Sequence, residues 1–444
     1  MDNLTKKVLK RIKPTRAEEM LIASIANRLH KIANDLGHDA VVCGSIGKLT
    51  WLKGDHDIDL FVLFDKAVSR EELERKGLEI GKKMAGILKG KASVKYAEHP
   101  YTRIIARIKS DFVIDIVPCY KILPGERIIS AVDRSPHHLS HVLKNLKSWQ
   151  RDEARLLKQF MKGIGAYGSD AKNMGFSGYV CELLIMKYGK FESVLKAAKD
   201  WHPAERSNDV MVLIDPVDET RNAAAAVGAE NFERFVSSAK RFLKKPSIFF
   251  FSAEETPLRG SEARELKARG TIFFGIKIKK PDIIDDILYP QTRRAIKRIE
   301  GMLRQNEFYA VRSFECVDDG SMLLVFELET WNMPKIKKMV GPPVFSRMHS
   351  KEFLSKYSKP LYGPYIEDNK WVIEKIREFT EARHFFSHIL GMEKDRLVAS
   401  GIPENIASTF RGAVLLHGDA FWKMIAKERV VSACLRKKYL ERLS

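Results

Sequence analysis

The 444-residue sequence lacks the features that would place it in a membrane or an extracellular class. No apolar run approaches the roughly 20 residues that a bilayer-spanning helix needs. The charged beginning, MDNLTKKVLKRIKP, has no apolar core of a signal peptide. Cys-x-x-Cys pairs are absent, which argues against structural zinc. The cysteines lie singly among apolar neighbours, so we expect reduced core thiols and a cytoplasmic protein; they are Cys43, Cys119, Cys181, Cys316 and Cys434.

Acidic residues are scarce relative to basic ones. The chain has 77 Lys and Arg against 57 Asp and Glu, which gives a net charge of +20. Such an excess favours a polyanionic partner, nucleic acid first, although a generally solubilising basic surface would give the same count. Internal repeats and low-complexity tracts are also absent. At roughly 150 residues per domain, the length suggests about three domains.

Hydrophobic periodicity predicts a mixed α/β unit over the first 140 residues or so. A helix should run from Thr15 to Gly37, since Thr15 and Glu18 form a capping-box pattern at its start. A second helix is predicted at SREELERKGLEIGKKMAGIL. Strands are predicted at DAVVCGS, DIDLFVLF, SVKYAEHPYTRIIARI and SDFVIDIVPCY.

The rest of the chain changes character twice. From about 145 to 245 the pattern is mostly helical, with VLIDPVDETRNAAAAV as an apolar strand or loop followed by charged residues. From about 257 the order strand, helix, strand, hairpin, strand suits a small α+β module of the RNA-recognition type, although its aromatic consensus is missing. After KKMVGPP the chain is basic and predicted to be partly helical.

Two aspartates interrupt an apolar strand. Residues two apart on a strand share a face, so Asp57 and Asp59 should project together. A later strand carries Asp115 between two isoleucines. Neighbouring carboxylates repel one another and lose solvation when buried, and a hard cation such as Mg²⁺ removes both problems. The alternative is a set of edge or turn aspartates that bind no metal.

A Gly-Ser pair precedes these aspartates. Gly44 and Ser45 follow a predicted strand and open a predicted helix, where backbone N–H groups can hold a phosphate. Lys48 lies one turn further and can add a positive charge. A lone Gly-Ser usually marks only a turn, but its combination with a basic residue, Asp-x-Asp and a later strand aspartate is much more specific.

GS, DID and the distal DIVPCY resemble the nucleotidyltransferases of the polymerase-β type. The closer resemblance is to the archaeal-type (class I) CCA-adding enzymes, which are tRNA nucleotidyltransferases. Further stretches that match this family, from about residue 41 to 291, are TWLKG, YAEHPY, SAVDRSPHH, RLLK, GFSGYVCELL, DPVDETRN and KPDIIDDILYPQ.

The resemblance implies an α+β architecture in three parts. Residues 1–142 would form the catalytic head, a polymerase-β-like palm with a mixed sheet and helices. Residues 143–256 would form a mostly helical neck that binds substrate, and residues 257–444 the α+β body and tail that bind tRNA. The implied activity is template-independent addition and repair of the 3′-terminal CCA of tRNA. CTP would be used twice and ATP once, with release of pyrophosphate.

The resemblance also implies roles for individual residues. Asp57, Asp59 and Asp115 fall on the catalytic carboxylates, which bind Mg²⁺, two ions in the usual two-metal scheme. Asp115 would be the one to help activate the attacking hydroxyl. The positions implied to contact ATP or CTP are Gly44, Ser45, Lys48, His99, His138, Lys158, Tyr167 and Arg221. The family often has Arg at the position of Lys48, and often Glu-x-Asp in place of Asp-x-Asp.

Simpler interpretations remain open for two of the basic residues. Lys158 falls on the polar side of a predicted amphipathic helix and could be a solvated lysine. Arg221 could form a local ion pair with Asp218 or Glu219, which would stabilise the fold by only about 0–1 kcal/mol. Alternatively, its planar donors could select the base.

A histidine cluster and a lone acid also admit two interpretations. His137, His138 and His141 could suggest zinc, but no Cys or carboxylate stands at matching spacing, so phosphate contact or a helix N-terminus is favoured. Glu182 lies in the apolar stretch YVCELLIM, which favours a buried structural partner over an exposed position.

The predicted partner is tRNA, contacted at its acceptor stem and T-arm region and at its 3′ end. The 3′ end would form the pocket jointly with the head and the neck, and the basic C-terminal part would contact the RNA backbone. Such contact would recognise mainly shape, because the major groove of A-form RNA is too narrow for side chains. A homodimer is compatible with the sequence. The alternative functions are a poly(A)-polymerase-like or other nucleotidyltransferase, and a catalytically silent RNA-binding relative.

Overall fold

The computed structural model describes residues 2–96, 98–108, 110–123, 125–205, 207–252 and 256–440. They fold as two units, 2–252 and 256–440. Helices and strands occur in both, which confirms the α+β class. The further division of the first unit into head and neck, at residue 142, stays a prediction. Among the described residues, no helix combines the length and the apolarity that crossing a membrane requires.

The first unit contains seven strands and nine α-helices among its described residues. The strands are β1 (Ala40–Val42), β2 (Asp57–Phe64), β3 (Lys91–Tyr96), β4 (Pro100–Ile108), β5 (Ser110–Tyr120), β6 (Ile214–Asp215) and β7 (Asp218–Asn222). The helices are α1 (Asp2–Ile12), α2 (Arg16–Asp35), α3 (Gly44–Gly47), α4 (Arg70–Leu88), α5 (Arg134–Asn145), α6 (Gln150–Gly163), α7 (Gly178–Tyr188), α8 (Phe191–Ala198) and α9 (Ala229–Lys244).

A five-stranded sheet with the order β1-β2-β5-β4-β3 organises the first half of this unit. Only β2 and β5 pair in parallel; the other neighbours are antiparallel. One face of the sheet is apolar and packs against α2 and α4. The capping box predicted at the start of α2 is present, with Thr15 as N-cap and Glu18 closing it.

The helices α6 to α9 enclose a second core in the same unit. Its centre is a group of phenylalanines, in which the ring of Phe160 lies 5.5–5.8 Å, between ring centroids, from four others. The helices predicted at DEARLLKQFMKGIG, SGYVCELLIMKYG and NFERFVSSAKRFLKK are α6, α7 and α9, so these predictions are confirmed. VLIDPVDETRN forms the small antiparallel hairpin β6–β7.

The second unit contains two further sheets. Its strands are β8 (Ile272–Lys279), β9 (Ala310–Val317), β10 (Ser321–Leu328), β11 (Ile336–Pro343), β12 (Tyr362–Glu367), β13 (Lys370–Ile376) and β14 (Val414–His417). Its helices are α10 (Gly260–Lys267), α11 (Asp285–Gln305), α12 (Arg347–Lys356), α13 (Ala382–Leu390), α14 (Lys394–Ala399), α15 (Glu404–Ala407), α16 (Gly418–Lys427) and α17 (Arg429–Leu440). The predicted order of strand, helix, strand, hairpin, strand is confirmed by β8, α11, β9 and β10.

The four-stranded antiparallel sheet of this unit has the order β14-β8-β10-β9. In RNA-recognition modules, one face of such a sheet is open and stacks bases on aromatic side chains. Here both faces are covered: Phe274 packs against Phe386 of α13, whereas Phe273 on the opposite face packs against Phe421 and Tyr439 of α16 and α17. The sheet faces therefore cannot serve as a base-stacking platform.

One secondary-structure prediction was wrong. SVKYAEHPYTRIIARI was predicted as one strand but forms two, β3 and β4, which pair antiparallel. The prediction that the chain after KKMVGPP is partly helical is confirmed by α12 to α17, and the same region contributes β12 and β13 to a three-stranded sheet with the order β11-β13-β12. KKMVGPP itself lies within β11, an outer strand, where prolines are tolerated because one edge needs no backbone donors.

The prediction of five reduced thiols was also wrong in part. Cys43, Cys119 and Cys181 are free and buried, as expected. Cys316 on β9 and Cys434 on α17 form a disulfide. Their Cα atoms lie 5.9 Å apart, within the range that this bond requires. The two residues are separated by 118 positions, so their spacing in the sequence gave no sign of the pairing.

Candidate active site

The three predicted carboxylates lie on two adjacent parallel strands of the first sheet. Asp59 on β2 is in direct register with Asp115 on β5, and Asp57 stands two residues before Asp59. The alternate side chains of both strands, such as Ile58 and Ile114, are buried against the helices. The carboxylates therefore share the opposite face, and neighbouring strands only about 4.8 Å apart hold them side by side.

Beyond the carboxylates, this face becomes apolar and is covered. Phe61 and Val117 follow Asp59 and Asp115 by two residues on their strands, and both pack against Leu139 of α5. The carboxylates thus lie at the boundary between a closed core and an open edge. Asp57 is exposed, and Asp59 is partly exposed.

Arg103 engages the third carboxylate. It lies on β4 opposite Asp115, and its Nε and Nη2 donate to the two carboxylate oxygens at 2.8 and 2.7 Å. This bidentate arrangement fixes the plane of the Asp115 carboxylate. Nothing in the sequence marked Arg103, because an arginine in a predicted strand has many ordinary uses.

The pKa values of Asp57 and Asp59 are both raised. Burial raises the pKa of Asp59 to about 6; the charges of Asp115 and Asp57 add to this, and Arg103 and Lys48 oppose it. Burial likewise raises the pKa of Asp57. Such a set gains stability from an added cation, and oxygen ligands suit Mg²⁺. As arranged, the described residues contain no group of three acidic, His or Cys side chains already gathered around one point.

The turn containing Gly44 and Ser45 packs directly on Asp59. Gly44 has φ of +60°, and a side chain there would meet the Asp59 carboxylate, since a Cβ atom would lie 2.0 Å from Oδ2. Cys43 N–H donates to the Asp59 carbonyl at 2.8 Å, which holds the turn on the strand. Ser45 is partly exposed in the first turn of α3, beside the carboxylate.

Lys48 and Lys158 meet at a buried acid. Lys158 Nζ lies 2.7 Å from Glu182 Oε1, and Lys48 Nζ lies 3.1 Å from Glu182 Oε2. Thr50 also donates its hydroxyl to Glu182, at 2.5 Å. Burial alone would raise the pKa of Glu182, but the two lysines and Thr50 outweigh it and lower the pKa to about 2.

Both lysines are therefore held inside the protein. Lys158 is only 2% exposed and Lys48 is 7% exposed, so the interpretation of Lys158 as a solvated lysine was wrong. The prediction that Glu182 is a buried partner is confirmed. Tyr167 joins the group, because its hydroxyl and Lys158 Nζ both approach Gly178, within 2.9 and 3.5 Å of the position of a Cβ atom there.

Helix α6 also holds the turn that follows Lys48. Arg155 is 4% exposed and donates to the carbonyl groups of Trp51 and Leu49 at 2.9 and 2.8 Å. Leu49 has φ of +60°, an uncommon conformation for a leucine. The buried guanidinium stabilises this conformation and so sets the direction in which the chain leaves Lys48.

A second buried acid, Asp215, contacts two more of the predicted residues, His138 and Arg221. Asp215 is fully buried, and its Oδ2 lies 2.8 Å from both His138 Nε2 and Arg221 Nη1. Tyr179 stacks on His138 at a centroid distance of 3.9 Å, and Lys48 Nζ lies 4.6 Å from the centre of the same tyrosine ring. Aromatic contacts therefore connect the Glu182 and Asp215 groups.

These contacts decide the alternatives for Arg221 and the histidines. Arg221 pairs with Asp215 instead of Asp218, which binds Arg134 at 2.8 Å. His138 lies on α5 in contact with an acid and an aromatic ring. His141 contacts Asn145 one turn later. No zinc site forms among the histidines of the described segments.

His99 is placed differently from the other predicted residues. It is 3% exposed, and its Nδ1 lies 3.4 Å from Glu74 on α4. Its described contacts thus lead towards α4, on the helix-covered side, and not towards Lys48 or Asp215. A direct role of His99 at the nucleotide stays a prediction that the described contacts do not support.

Three family models match successive parts of the chain. Residues 22–138 match the nucleotidyltransferase domain, and residues 152–252 match the second domain of tRNA nucleotidyltransferases. Residues 269–410 match the C-terminal domain of the CCA-adding enzyme.

Similar proteins are known from archaea. The CCA-adding enzyme of Methanosarcina barkeri is 35% identical over 90% of this chain and 90% of its own length. That of Methanosarcina acetivorans is 36% identical over 94% of both chains, and that of Methanocaldococcus jannaschii is 36% identical over 92% of both. Among solved structures, Cid1 poly(U) polymerase is 13% identical with a TM-score of 0.46, over 57% of this chain and 98% of its own, too low a similarity to bear on function.

Proposed function

The chain belongs to the CCA-adding enzymes, and we propose that the site on its first unit adds C, C and A in that order without a nucleic-acid template. The family resemblance predicted from the sequence is confirmed. The enzyme is a tRNA nucleotidyltransferase that adds the 3′-terminal CCA, with tRNA and nucleoside triphosphates as substrates. Divalent metal use is general in the nucleotidyltransferase family. The finer assignments below are ours.

The three carboxylates are the proposed catalytic and metal-binding groups. They fit Mg²⁺ because they supply only oxygen donors and share one face, and because burial and the neighbouring negative charges raise the pKa of Asp57 and Asp59. Two bound ions would favour ionisation of the 3′-hydroxyl of tRNA and stabilise the leaving pyrophosphate. Asp115 is the proposed acceptor of the hydroxyl proton. Arg103 donates one hydrogen bond to each Asp115 oxygen, which leaves a further lone pair on each oxygen for the hydroxyl proton.

The reaction then balances as a nucleotidyl transfer. The 3′-hydroxyl oxygen of the tRNA forms a bond to the α-phosphorus of CTP or ATP, and the bond between the α-phosphorus and pyrophosphate breaks. Ser45 and the backbone of Gly44 are proposed to hold the triphosphate beside Asp59, because the turn packs directly on that carboxylate. Lys48, Lys158, Tyr167 and His138 are proposed to complete this contact.

Lys48 stands where relatives often have arginine, and its surroundings support the substitution. An ammonium group lacks the bidentate fork of a guanidinium. Here Glu182 and the ring of Tyr179 hold it in one place. We propose that Lys48 contributes a fixed positive charge to the triphosphate site, and that Arg221 selects the base by its planar donors.

The second unit is proposed to hold the tRNA at its acceptor stem and T-arm region. Its basic segments, such as KIKKMVGPP and LRKKYLERL, support this role, and the covered faces of its four-stranded sheet argue for backbone contact instead of base stacking. Affinity should fall steeply with salt by counterion release. A cytoplasmic location and a homodimer are compatible with this function and remain proposals.

The observation that carries the assignment is the direct register of Asp59 with Asp115, with Gly44 packed against the former. The test uses a tRNA transcript that lacks CCA, with Mg²⁺. CTP alone should add two nucleotides, ATP alone should add none, and both together should add three. Open-ended addition of A would indicate a poly(A)-polymerase-like enzyme instead, and no incorporation would indicate a silent relative.

Variants on β5 and β2 test the carboxylate roles. Asp115→Asn should lower kcat by at least about a hundredfold, the size of effect seen when a group that stabilises a transition state is removed. Asp111→Asn is the matched control, because Asp111 lies on the same strand and the same face as Asp115 and its side chain is exposed. Calorimetric titration with Mn²⁺ gives a readout independent of turnover; Asp59→Asn should weaken Mn²⁺ binding and Asp111→Asn should not.

A further inference from the structure

Asp215 has no assigned role, yet it bonds to two of the predicted nucleotide-binding residues, His138 and Arg221. Its Oδ2 accepts from His138 and Arg221, both at 2.8 Å. Its Oδ1 accepts from the Tyr179 hydroxyl at 3.0 Å and from Val217 N–H at 3.2 Å. The carboxylate is fully buried, and each of its two oxygens accepts two hydrogen bonds. Asp215 is therefore a preformed ionic centre with all its acceptor sites in use.

We propose that Asp215 is a positioning residue that sets His138 and Arg221 in one geometry, and thereby governs nucleotide affinity and the choice between C and A. This inference rests on the proposed function, since it needs His138 at the triphosphate and Arg221 at the base. Asp215 itself is fully buried, so it acts through these two side chains and not by touching the nucleotide.

For His138, the carboxylate determines which nitrogen carries the proton. A carboxylate can only accept, so Nε2 at 2.8 Å from it bears hydrogen, and Nδ1 remains for a ligand. Nδ1 can donate to a phosphate oxygen only when the ring is protonated. The groups that face the ring are Asp215, Tyr179, Lys48 and Arg221. Burial lowers the pKa of His138, and Asp215 opposes this while the two cations add to it.

For Arg221, the carboxylate holds one end of the guanidinium. Nη1 is bound to Asp215, while the side chain as a whole remains 37% exposed. The guanidinium is thus held at Nη1, and its other N–H groups remain available. These donors could form hydrogen bonds with the polar edge of a base. An untethered arginine would sample many rotamers and discriminate less between cytosine and adenine.

The contacts also join three separate elements. His138 lies on α5, Tyr179 on α7, and Arg221 on β7, and Asp215 on β6 bonds to all three. The geometry of the triphosphate contact and that of the base contact are therefore fixed to a common point. Loss of this carboxylate should disturb both together, which a defect in either side chain alone would not.

Asp215→Asn tests the proposal, with Asp218→Asn as the matched control on the same hairpin. Asp218 is the register partner of Asp215 but binds Arg134 and Thr220 instead. Loss of hydrogen bonds to a charged group predicts a rise of about tenfold or more in KM for both CTP and ATP in Asp215→Asn, with a smaller change in kcat. Misincorporation of A in place of C, and of C in place of A, should rise as well. Asp218→Asn should behave as the wild type does.

The pH dependence of kcat/KM distinguishes a positioning role of Asp215 from a role in folding alone. Without Asp215 the pKa of His138 falls, so the decline of kcat/KM with rising pH should begin at lower pH in Asp215→Asn than in the wild type. A second comparison uses Arg221→Gln and the double variant with Asp215→Asn. If Asp215 controls selectivity through Arg221, the double variant should select no worse than Arg221→Gln alone.

Several outcomes would overturn the inference. Wild-type KM, selectivity and pH profile in Asp215→Asn would do so, as would equal losses in Asp218→Asn. If circular dichroism shows that Asp215→Asn is unfolded, Tyr179→Phe replaces it, since that change removes one donor to Asp215 and should give a smaller defect of the same kind. Failure of the wild type to add CCA would instead overturn the proposed function, and calorimetric binding of CTP alone would still test the role of Asp215.

Discussion

Replacing Glu182 with glutamine should destabilise the first unit strongly, because it removes the negative charge that three buried polar side chains contact, those of Thr50, Lys158 and Lys48. Glu182 is 1% exposed and accepts from Thr50 at 2.5 Å and from Lys158 at 2.7 Å, with Lys48 at 3.1 Å. Glutamine has nearly the same shape and retains one oxygen. The change therefore isolates the charge from the packing.

The loss of unfolding free energy can be estimated from the buried lysines that Glu182→Gln leaves without a carboxylate. Removing one partner of a buried ion pair typically costs about 3–5 kcal/mol, because the other charge stays buried without compensation. Two lysines are left here, but the glutamine oxygen can still accept from one of them, so we expect about 3 kcal/mol of unfolding free energy. For a unit of some 250 residues this corresponds to a fall in Tm of about 6–12 °C.

The pH dependence has a definite sign. The pKa of Glu182 is lowered to about 2 from the model-compound value of 4.5, so its contribution is fully present above pH 4.5 and is lost as pH falls towards 2. The difference in unfolding free energy between wild type and Glu182→Gln should accordingly be largest near neutrality and shrink in acid. Urea unfolding, followed by circular dichroism at several pH values, measures it.

The control is Glu192→Gln on the adjacent helix α8. Glu192 pairs with Lys196 at 2.8 Å, one turn apart on the surface, where such a pair stabilises a helix by about 0.2–0.5 kcal/mol. A loss below about 1 kcal/mol in Glu182→Gln, or a loss no larger than that of the control, would refute the reasoning that a buried charge is what matters.

Three further outcomes follow from the same contacts. Gly44→Ala should lower kcat/KM at least about tenfold, because its Cβ would lie 2.0 Å from Asp59 Oδ2. Gly54→Ala is the control, since Gly54 also has a positive φ but has open space around it. This change should cost only about 1–2 kcal/mol of stability and keep activity. Tyr439→Phe leaves buried Glu327 without the hydroxyl that donates to it at 2.7 Å, and should cost about 1–3 kcal/mol by urea unfolding, with no change in the KM for CTP. Thiol titration of the unfolded, unreduced protein should count three free cysteines, and five after reduction.

The carboxylates could be predicted from the sequence because their signal is local. Strand alternation places Asp57 and Asp59 on one face whatever surrounds them, and apolar neighbours mark Asp115 as a strand residue of the same kind. The hydrophobic pattern of a sequence does not show which strands pair with each other. Only the structure shows that β2 lies beside β5 in parallel, with Asp59 and Asp115 in register.

The hairpin β3–β4 shows a different limit. Strand-forming residues stand on both sides of AEHP, and the pattern was interpreted as one strand in spite of this interruption. The chain reverses after Tyr96, and Pro100 begins the returning strand. A turn without Asn-Gly, Asp-Gly or a similar pair gives little local signal, and tertiary pairing with β5 decides where the strand begins.

The basic residues show why burial could not be inferred from helical pattern alone. Lys158 lies on the polar side of α6 when the helix is considered by itself, and a lone helix would leave it in water. The polar side is covered instead, by the turn after Lys48 and by Glu182 on α7. Amphipathic analysis assumes one buried face, and that assumption fails for a helix enclosed between two layers.

Asp215 and Glu182 share a chemistry that explains why the nucleotide site proposed above needs buried acids. A triphosphate site must gather several cations, which repel one another before any ligand arrives. Glu182 holds Lys48 and Lys158, and Asp215 holds His138 and Arg221, so each carboxylate offsets part of the positive charge and orients its two partners in the absence of nucleotide. Preorganised groups need little rearrangement when the substrate binds, and electrostatic stabilisation depends on that condition. The acids therefore belong to the site as much as the cations do, although neither acid has to touch the nucleotide.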